Sequence, residues 1–188
     1  MLLVYPVFLI LCHLTIDANS CELVKGAKDE VVIFMPEGSR THLGGTMRLG
    51  LRPTFFQPNT EFSIVRKLYG GKSEIHERHR HRYEINPDYI GRLEDTGLQF
   101  VGRDDKGERM EIFELPTHAE QGPSHPYYVG VQYHPELKRY HHFMLFDNSR
   151  PLNPSPPFLG FVAASAGILE DVLQDLEKTV VNGVNGVH

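Results

Sequence analysis

Residues 31–35 read Val-Val-Ile-Phe-Met, and the run is closed by Pro36. A strand with one wet face alternates apolar and polar side chains. Five apolar residues in a row therefore predict a strand buried on both faces, ended by the proline that follows. Such a strand needs cover from two sides, as helices on both faces of a sheet provide.

The rest of the chain supplies that mixture. Over residues 61–69, Phe62, Val65 and Leu68 fall on one face and Gly70-Gly71 follows, which predicts a short helix with a glycine stop. Pro87 opens a second helix, with Tyr89, Ile90 and Leu93 turned inward and Gly97 at its end. Residues 98–102 and 110–115 flank the polar cluster Asp104-Asp105-Lys106-Gly107 and read as a hairpin. Residues 79–85 and 127–133 read as extended. From Phe158 onward, Phe161, Val162, Leu169, Val172, Leu173 and Leu176 recur at helical spacing behind Pro156-Pro157. Residues 36–58, rich in Gly, Pro and Thr, are expected to be irregular, and the end of the chain from residue 177 a flexible tail. Strands and helices intermingle without repeats, which is an α/β or α+β pattern.

With 188 residues the chain makes one domain or part of a larger one. Its 40% apolar and 23% charged residues suffice for a packed core, so global disorder is excluded. A formal charge of −5 offers no basic footprint for nucleic acid. Cys12 and Cys21 close at most one loop, which speaks against a disulfide-stapled secreted scaffold and for a reducing compartment. Residues 1–16, MLLVYPVFLILCHLTI, are as apolar as the hydrophobic stretch of a signal peptide but lack its basic flank. Pro6 and His13 break the run short of the ~20 residues a membrane span needs, so no membrane association is expected.

Two constellations could carry chemistry. His134-Pro135-Glu136 closes the last apolar run. In an extended chain His134 and Glu136 point to the same side, and a carboxylate that fixes an imidazole's tautomer makes it a general base. A histidine before a proline also serves as a plain turn residue. The second constellation is the strict alternation of residues 76–84, HERHRHRYE. On a strand, Arg78, Arg80 and Arg82 fall on one face and His79, His81 and Tyr83 on the other. Three guanidinium groups suit a carboxylate or phosphate, and a solvated charged strand fits the pattern as well. A metal held by His76, His79 and His81 is disfavoured, because His76 faces away from the other two and the arginines repel a cation. Residues 44–50, GGTMRLG, have neither phosphate-loop nor dinucleotide spacing.

Taken together, GGTMRLG at 44–50, ERHRHRYE at 77–84, VGVQYHPE at 129–136 and RPLNPSPP at 150–157 resemble the glutaminase domain of CTP synthases, a class I glutamine amidotransferase. The resemblance runs from about residue 17 to about residue 173. It implies an open α/β sheet of flavodoxin-like or Rossmann-like type, and glutamine hydrolysis through a cysteine thioester. It also implies ammonia transfer to a synthetase domain that uses ATP and Mg2+ to convert UTP to CTP. By the same resemblance His134 is the base, Glu136 orients it, and Arg82 binds glutamine. Ala18-Asn19-Ser20-Cys21-Glu22 is similar to the family's Ala-Asn-Ser-Thr-Glu, which gives Glu22 a glutamine-holding role. A homo-oligomer in the cytoplasm follows from the family.

The departures are as informative. The family's nucleophile sits in a Gly-x-Cys-x-Gly elbow upstream of the stretch that matches Glu22, and no such elbow occurs here; Cys12 lies in ILCHL. Residues 137–148, LKRYHHFMLFDN, intervene where the family passes almost directly from the glutamate to Ser-Arg-Pro. We therefore expect a partial domain over residues 17–176 that lacks the early strands and the synthetase domain, preceded by a foreign segment at 1–16 and carrying an insertion at 137–148. Such a chain is inactive on its own and needs no cofactor or metal of its own; the alternative is a catalytically dead glutamine-binding or regulatory module.

Overall fold

The computed structural model describes residues 18–24, 26–35, 47–119, 122–140 and 154–184. Residues 1–16 with Cys12, Gly44-Gly45-Thr46, residues 141–148 of the intervening segment, residues 150–153 and residues 185–188 lie outside them.

The strands form two sheets. In the smaller, β2 (Asp29–Phe34) is central, with β1 (Ala18–Ser20) parallel to it on one side and β5 (Tyr83–Ile85) antiparallel on the other. Val31, Val32 and Met35 are buried, as the unbroken apolar run predicts, whereas Ile33 and Phe34 are half-buried. The larger sheet is antiparallel throughout, in the order β4 (Glu74–His81), β3 (Arg48–Phe56), β6 (Gln99–Arg103), β7 (Met110–Glu114) and β8 (Val129–Val131). All five residues of β7 are buried. Any Cβ at Gly130 would collide with the Phe113 ring, so β8 lies against β7 at a distance only glycine permits.

Strand β3 corrects the expectation of irregular structure at 36–58. Nine residues of that stretch, Pro53 included, pair with β4 or β6. Strand β6 meets only Phe55 and Phe56, so most of β3 has an open second edge, where a residue without an N–H is tolerated. The segment expected to be extended at 79–85 also divides. β4 stops at His81, the chain bends at Arg82, and β5 continues in the other sheet.

The helices cover these sheets. α1 (Ile64–Leu68) is capped by Ser63, whose hydroxyl accepts from Arg66 N at 3.1 Å. Val65 and Leu68 are buried as expected, but Phe62 precedes the helix and is half exposed. A 3-10 turn at Pro87–Tyr89 leads into α2 (Ile90–Glu94), which buries Leu93. The helical spacing from Phe158 belongs to two helices, α3 (Pro156–Ser165) and α4 (Leu169–Val184), parted where Gly167 adopts φ +73°. α4 runs to Val184, so helix replaces the tail expected from residue 177.

Three apolar clusters follow. Ala18, Val31, Ile85, Leu93, Phe100 and Phe113 join the smaller sheet to α2 and the hairpin. Phe56, Val65, Ile75, Val101, Ile112 and Tyr133 pack beneath α1. Ile64, Leu68, Ala163, Leu169 and Leu173 hold α3 and α4 on α1.

Candidate functional site

The strand directions decide what comes together. β1 and β2 are parallel, so Cys21-Glu22 and Phe34-Met35 lie at the same end of the smaller sheet. β5 runs the other way, which brings its first residues to that end too: Met35 N donates to Arg82 O at 2.9 Å and Phe34 pairs with Tyr83. Glu22 and Arg82 therefore flank the carboxyl end of β2, the place where open α/β sheets carry ligands. Glu22 is exposed, and its N–H bonds to Ser20 Oγ at 3.2 Å. Arg82 is half-buried; its Nε is buried and has no hydrogen-bond partner among the described residues. A buried guanidinium donor without an acceptor costs free energy, and an anion supplied from outside recovers it.

The larger sheet brings the histidine to the same place. After β8, Gln132 Nε2 donates to Tyr83 O at 3.3 Å, and His134 N donates to Arg78 O at 2.8 Å. The loop behind β8 is thus fastened to β4 and to the start of β5, on either side of Arg82. His134 Nδ1 lies 2.7 Å from Glu136 Oε1. Desolvation pushes the Glu136 carboxyl up, but the bond to His134, a backbone hydrogen bond and the imidazole charge outweigh it and leave the group below its usual value. An ionised Glu136 accepts a hydrogen bond from His134 Nδ1–H, which leaves Nε2 free as a base. The sequence placed the pair on an extended strand. The structure puts residues 135–140 in a 3-10 stretch, and the two side chains meet across its first turn.

Beneath this lies a buried charged layer. In the register of β3 with β4, Arg48 stands opposite His81 and Gly50 opposite His79. Arg48 Nη2 approaches Glu111 Oε1 at 3.0 Å, off the hydrogen-bond direction, and Nη1 lies 3.7 Å from Asp104 Oδ2. Asp104 Oδ1 accepts from Glu108 N and Arg109 N, and Arg109 Nε reaches Glu84 Oε2 at 2.7 Å. Burial, aided by neighbouring positive charge, pushes His79 and His81 down to about 3. Burial raises Glu111 and Glu84 to about 7 against the pull of Arg48. Nearby, Tyr69 Oη donates to Glu77 Oε1 at 2.9 Å and meets Tyr133 Oη at 3.2 Å.

The alternation read from residues 76–84 holds as far as His81. Ile75, Glu77 and His79 are buried, while His76 and Arg80 are exposed. Arg82 lies outside the strand, at the bend between β4 and β5. His76 and His79 lie on opposite faces, and among the described residues no group of three His, Cys, Asp or Glu side chains could hold a metal ion. Sequence reasoning missed Gln132, Asp104 and Glu111. Gln132 could have been suspected, because it is a polar residue inside an apolar run two positions before His134.

The model of the family described as glutamine amidotransferase class-I matches residues 16–150. The chain belongs to the class I glutamine amidotransferases. This amidotransferase is 53% identical over 181 residues to a CTP synthase of Neurospora crassa, which covers 95% of the chain and 28% of that relative. It is 56% identical over 166 residues to CTP synthase 1 of Saccharomyces cerevisiae, covering 86% and 26%. The chain therefore spans about a quarter of the length of the curated relatives it matches. Its fold is similar to the glutaminase domain of a Trypanosoma brucei CTPS solved with bound acivicin, at TM-score 0.63 and 31% identity over 80% of this chain and 51% of that one. The expected α/β architecture of a class I amidotransferase is thus the observed one.

Proposed function

We propose that this amidotransferase chain is the glutamine-binding part of a CTP synthase and serves the hydrolysis of glutamine for the amination of UTP to CTP. Arg82 takes the carboxylate of glutamine, Glu22 its ammonium group, and His134, oriented by Glu136, acts as the base. The ammonia passes to a synthetase domain, where ATP and Mg2+ drive the ligase step; the cytoplasm and a homo-oligomer are the setting the family suggests. The observation that carries the reading is the orphaned Arg82 Nε at the sheet end shared with Glu22, bracketed by the fastenings of the His134 loop.

The nucleophile is the exception. Cys21 is free and buried beside Glu22, and neither it nor Cys12 stands in a glycine elbow. By itself the 188-residue chain then binds glutamine without sustained turnover, which is the binding-module form of the same reading. Calorimetry with glutamine and an ammonia-release assay test both halves. Saturable binding that Arg82→Ala weakens roughly 10- to 100-fold, without sustained ammonia, is expected. A folded chain that ignores glutamine overturns the binding half. Turnover that survives Cys12→Ala and Cys21→Ala overturns the other.

A further inference from the structure

Glu111 stands where three strands meet. Its backbone carbonyl accepts from Gln132 N at 2.8 Å, which ties β7 to the residues leading into His134. One carboxyl oxygen faces Arg48 and the other lies 3.5 Å from His79 Nδ1, just outside hydrogen-bond geometry, with all three side chains more than nine-tenths buried. His79 follows Arg78, whose carbonyl receives His134 N. A continuous line therefore runs from Arg48 through Glu111 and His79 to the backbone that holds His134.

The charges around this line do not cancel. Facing the Glu111–His79 pair are Arg48 and Arg52 from β3, His81 from β4, Glu84 from β5, Asp104 and Arg109 from the two arms of the hairpin, and Tyr133 with His134 after β8. Arg52 is exposed. The buried and half-buried members are two arginines against the carboxylates Asp104, Glu111 and Glu84, with Glu77 of β4 on the far side of Tyr133, so negative charge is in excess unless carboxyl protons are kept.

We propose that Glu111 is a positioning residue for the His134–Glu136 dyad, which holds β4 in place by setting the tautomer of His79. With its proton on, Glu111 donates to His79 Nδ1 and the imidazole carries its own proton on Nε2. With the proton off, the carboxylate accepts from Nδ1–H instead. The His79 ring stays neutral and anchored in both states, and Arg78 stays where it receives His134. The raised Glu111 and lowered His79 place the exchange near neutrality. That this dyad is a glutaminase base rests on the reading above; the hold on β4 does not.

The test is nuclear magnetic resonance on the full chain with 15N-labelled histidine. The His79 ring nitrogens should change tautomer as pH passes through about 7. Glu111→Gln should abolish that change, whereas Glu84→Gln should keep it but move it to lower pH, because Glu84 helps to raise Glu111. Glu111→Ala should also speed exchange of the His134 amide by about tenfold, as expected for a loosened local hydrogen bond. His79→Gln supplies the same amide readout if Glu111→Ala does not fold. A tautomer change that persists in Glu111→Gln, or a His134 amide equally protected in both folded variants, overturns the proposal. Neither readout needs glutamine, so failure of the glutaminase reading would show separately, in the binding assay.

Discussion

The two faces of β4 carry the same residue types under different physics. Outward stand Glu74, His76, Arg78 and Arg80; inward stand Ile75, Glu77, His79 and His81. His76 Nε2 meets Glu74 Oε1 at 3.3 Å, with both side chains about half exposed. His79 meets Glu111 at 3.5 Å with neither side chain exposed at all. The comparison teaches that residue type does not assign a role to a polar side chain here. The period of the strand decides that His79 and His81 are desolvated and His76 is not.

The comparison breaks most sharply in stability. His79→Ala removes a fully buried ring and leaves Glu111 facing a void, so it should cost about 2–4 kcal/mol in urea unfolding. A loss near zero would mean that the inner face is as solvated as the outer one.

Ligand binding comes next. Arg82→Ala removes a charge-assisted contact worth about 1.5–3 kcal/mol, so glutamine affinity should fall roughly 10- to 100-fold, whereas Arg80→Ala on the exposed face should leave it within about twofold. Equal losses would return Arg82 to the face of β4 and undo the bend that separates them.

The inner face should also show itself in pH. His79 and His81 titrate at about 3 in the fold against 6.5 ordinarily, so the unfolded chain binds more protons and stability falls as pH drops from 6.5 to 3. Glu84, Glu111 and Glu114 titrate at about 7 against 4.5, so the fold holds more protons and stability falls as pH rises from 4.5 to 7. Between 4.5 and 6.5 the three falling contributions outweigh the two rising ones, so the maximum lies at the acid end of that range. His79→Gln should flatten the acid limb, each group contributing at most about 1.4 kcal/mol per pH unit. An acid limb unchanged in that variant would place the titration elsewhere.

Much of this arrangement was legible. Alternation in residues 76–84 is a short-range signal, and it predicted the two faces as far as His81 because β4 is paired along its whole length. Residues 36–58 misled for the converse reason. Gly50 and Pro53 lower strand propensity locally, but pairing with β4 overrides them, and that pairing depends on contacts no window of sequence contains. The bend at Arg82 was hidden likewise, since nothing in HRYE marks where the chain leaves one sheet for another. His134 and Glu136 were visible as neighbours, although a 3-10 turn rather than a strand brings them together. Arg48 and Glu111 lie far apart in the chain, and their meeting is a property of the finished sheet.

The smallest expected effect sharpens the comparison from its other side. His76→Ala deletes an exposed ring and an ion contact that exists only while the imidazole is charged. Exposed pairs gain little Coulomb energy in water, give it back as side-chain entropy, and are screened by salt. The change should stay within about 0.5 kcal/mol, and raising the salt concentration should erase what remains. Pro53 stands opposite His76 across the β3–β4 ladder, so a larger loss that salt does not touch would report packing against β3 instead. The outer face would then be carrying part of the fold, and the division between a solvated face and a tied one would have to be redrawn at residue 76.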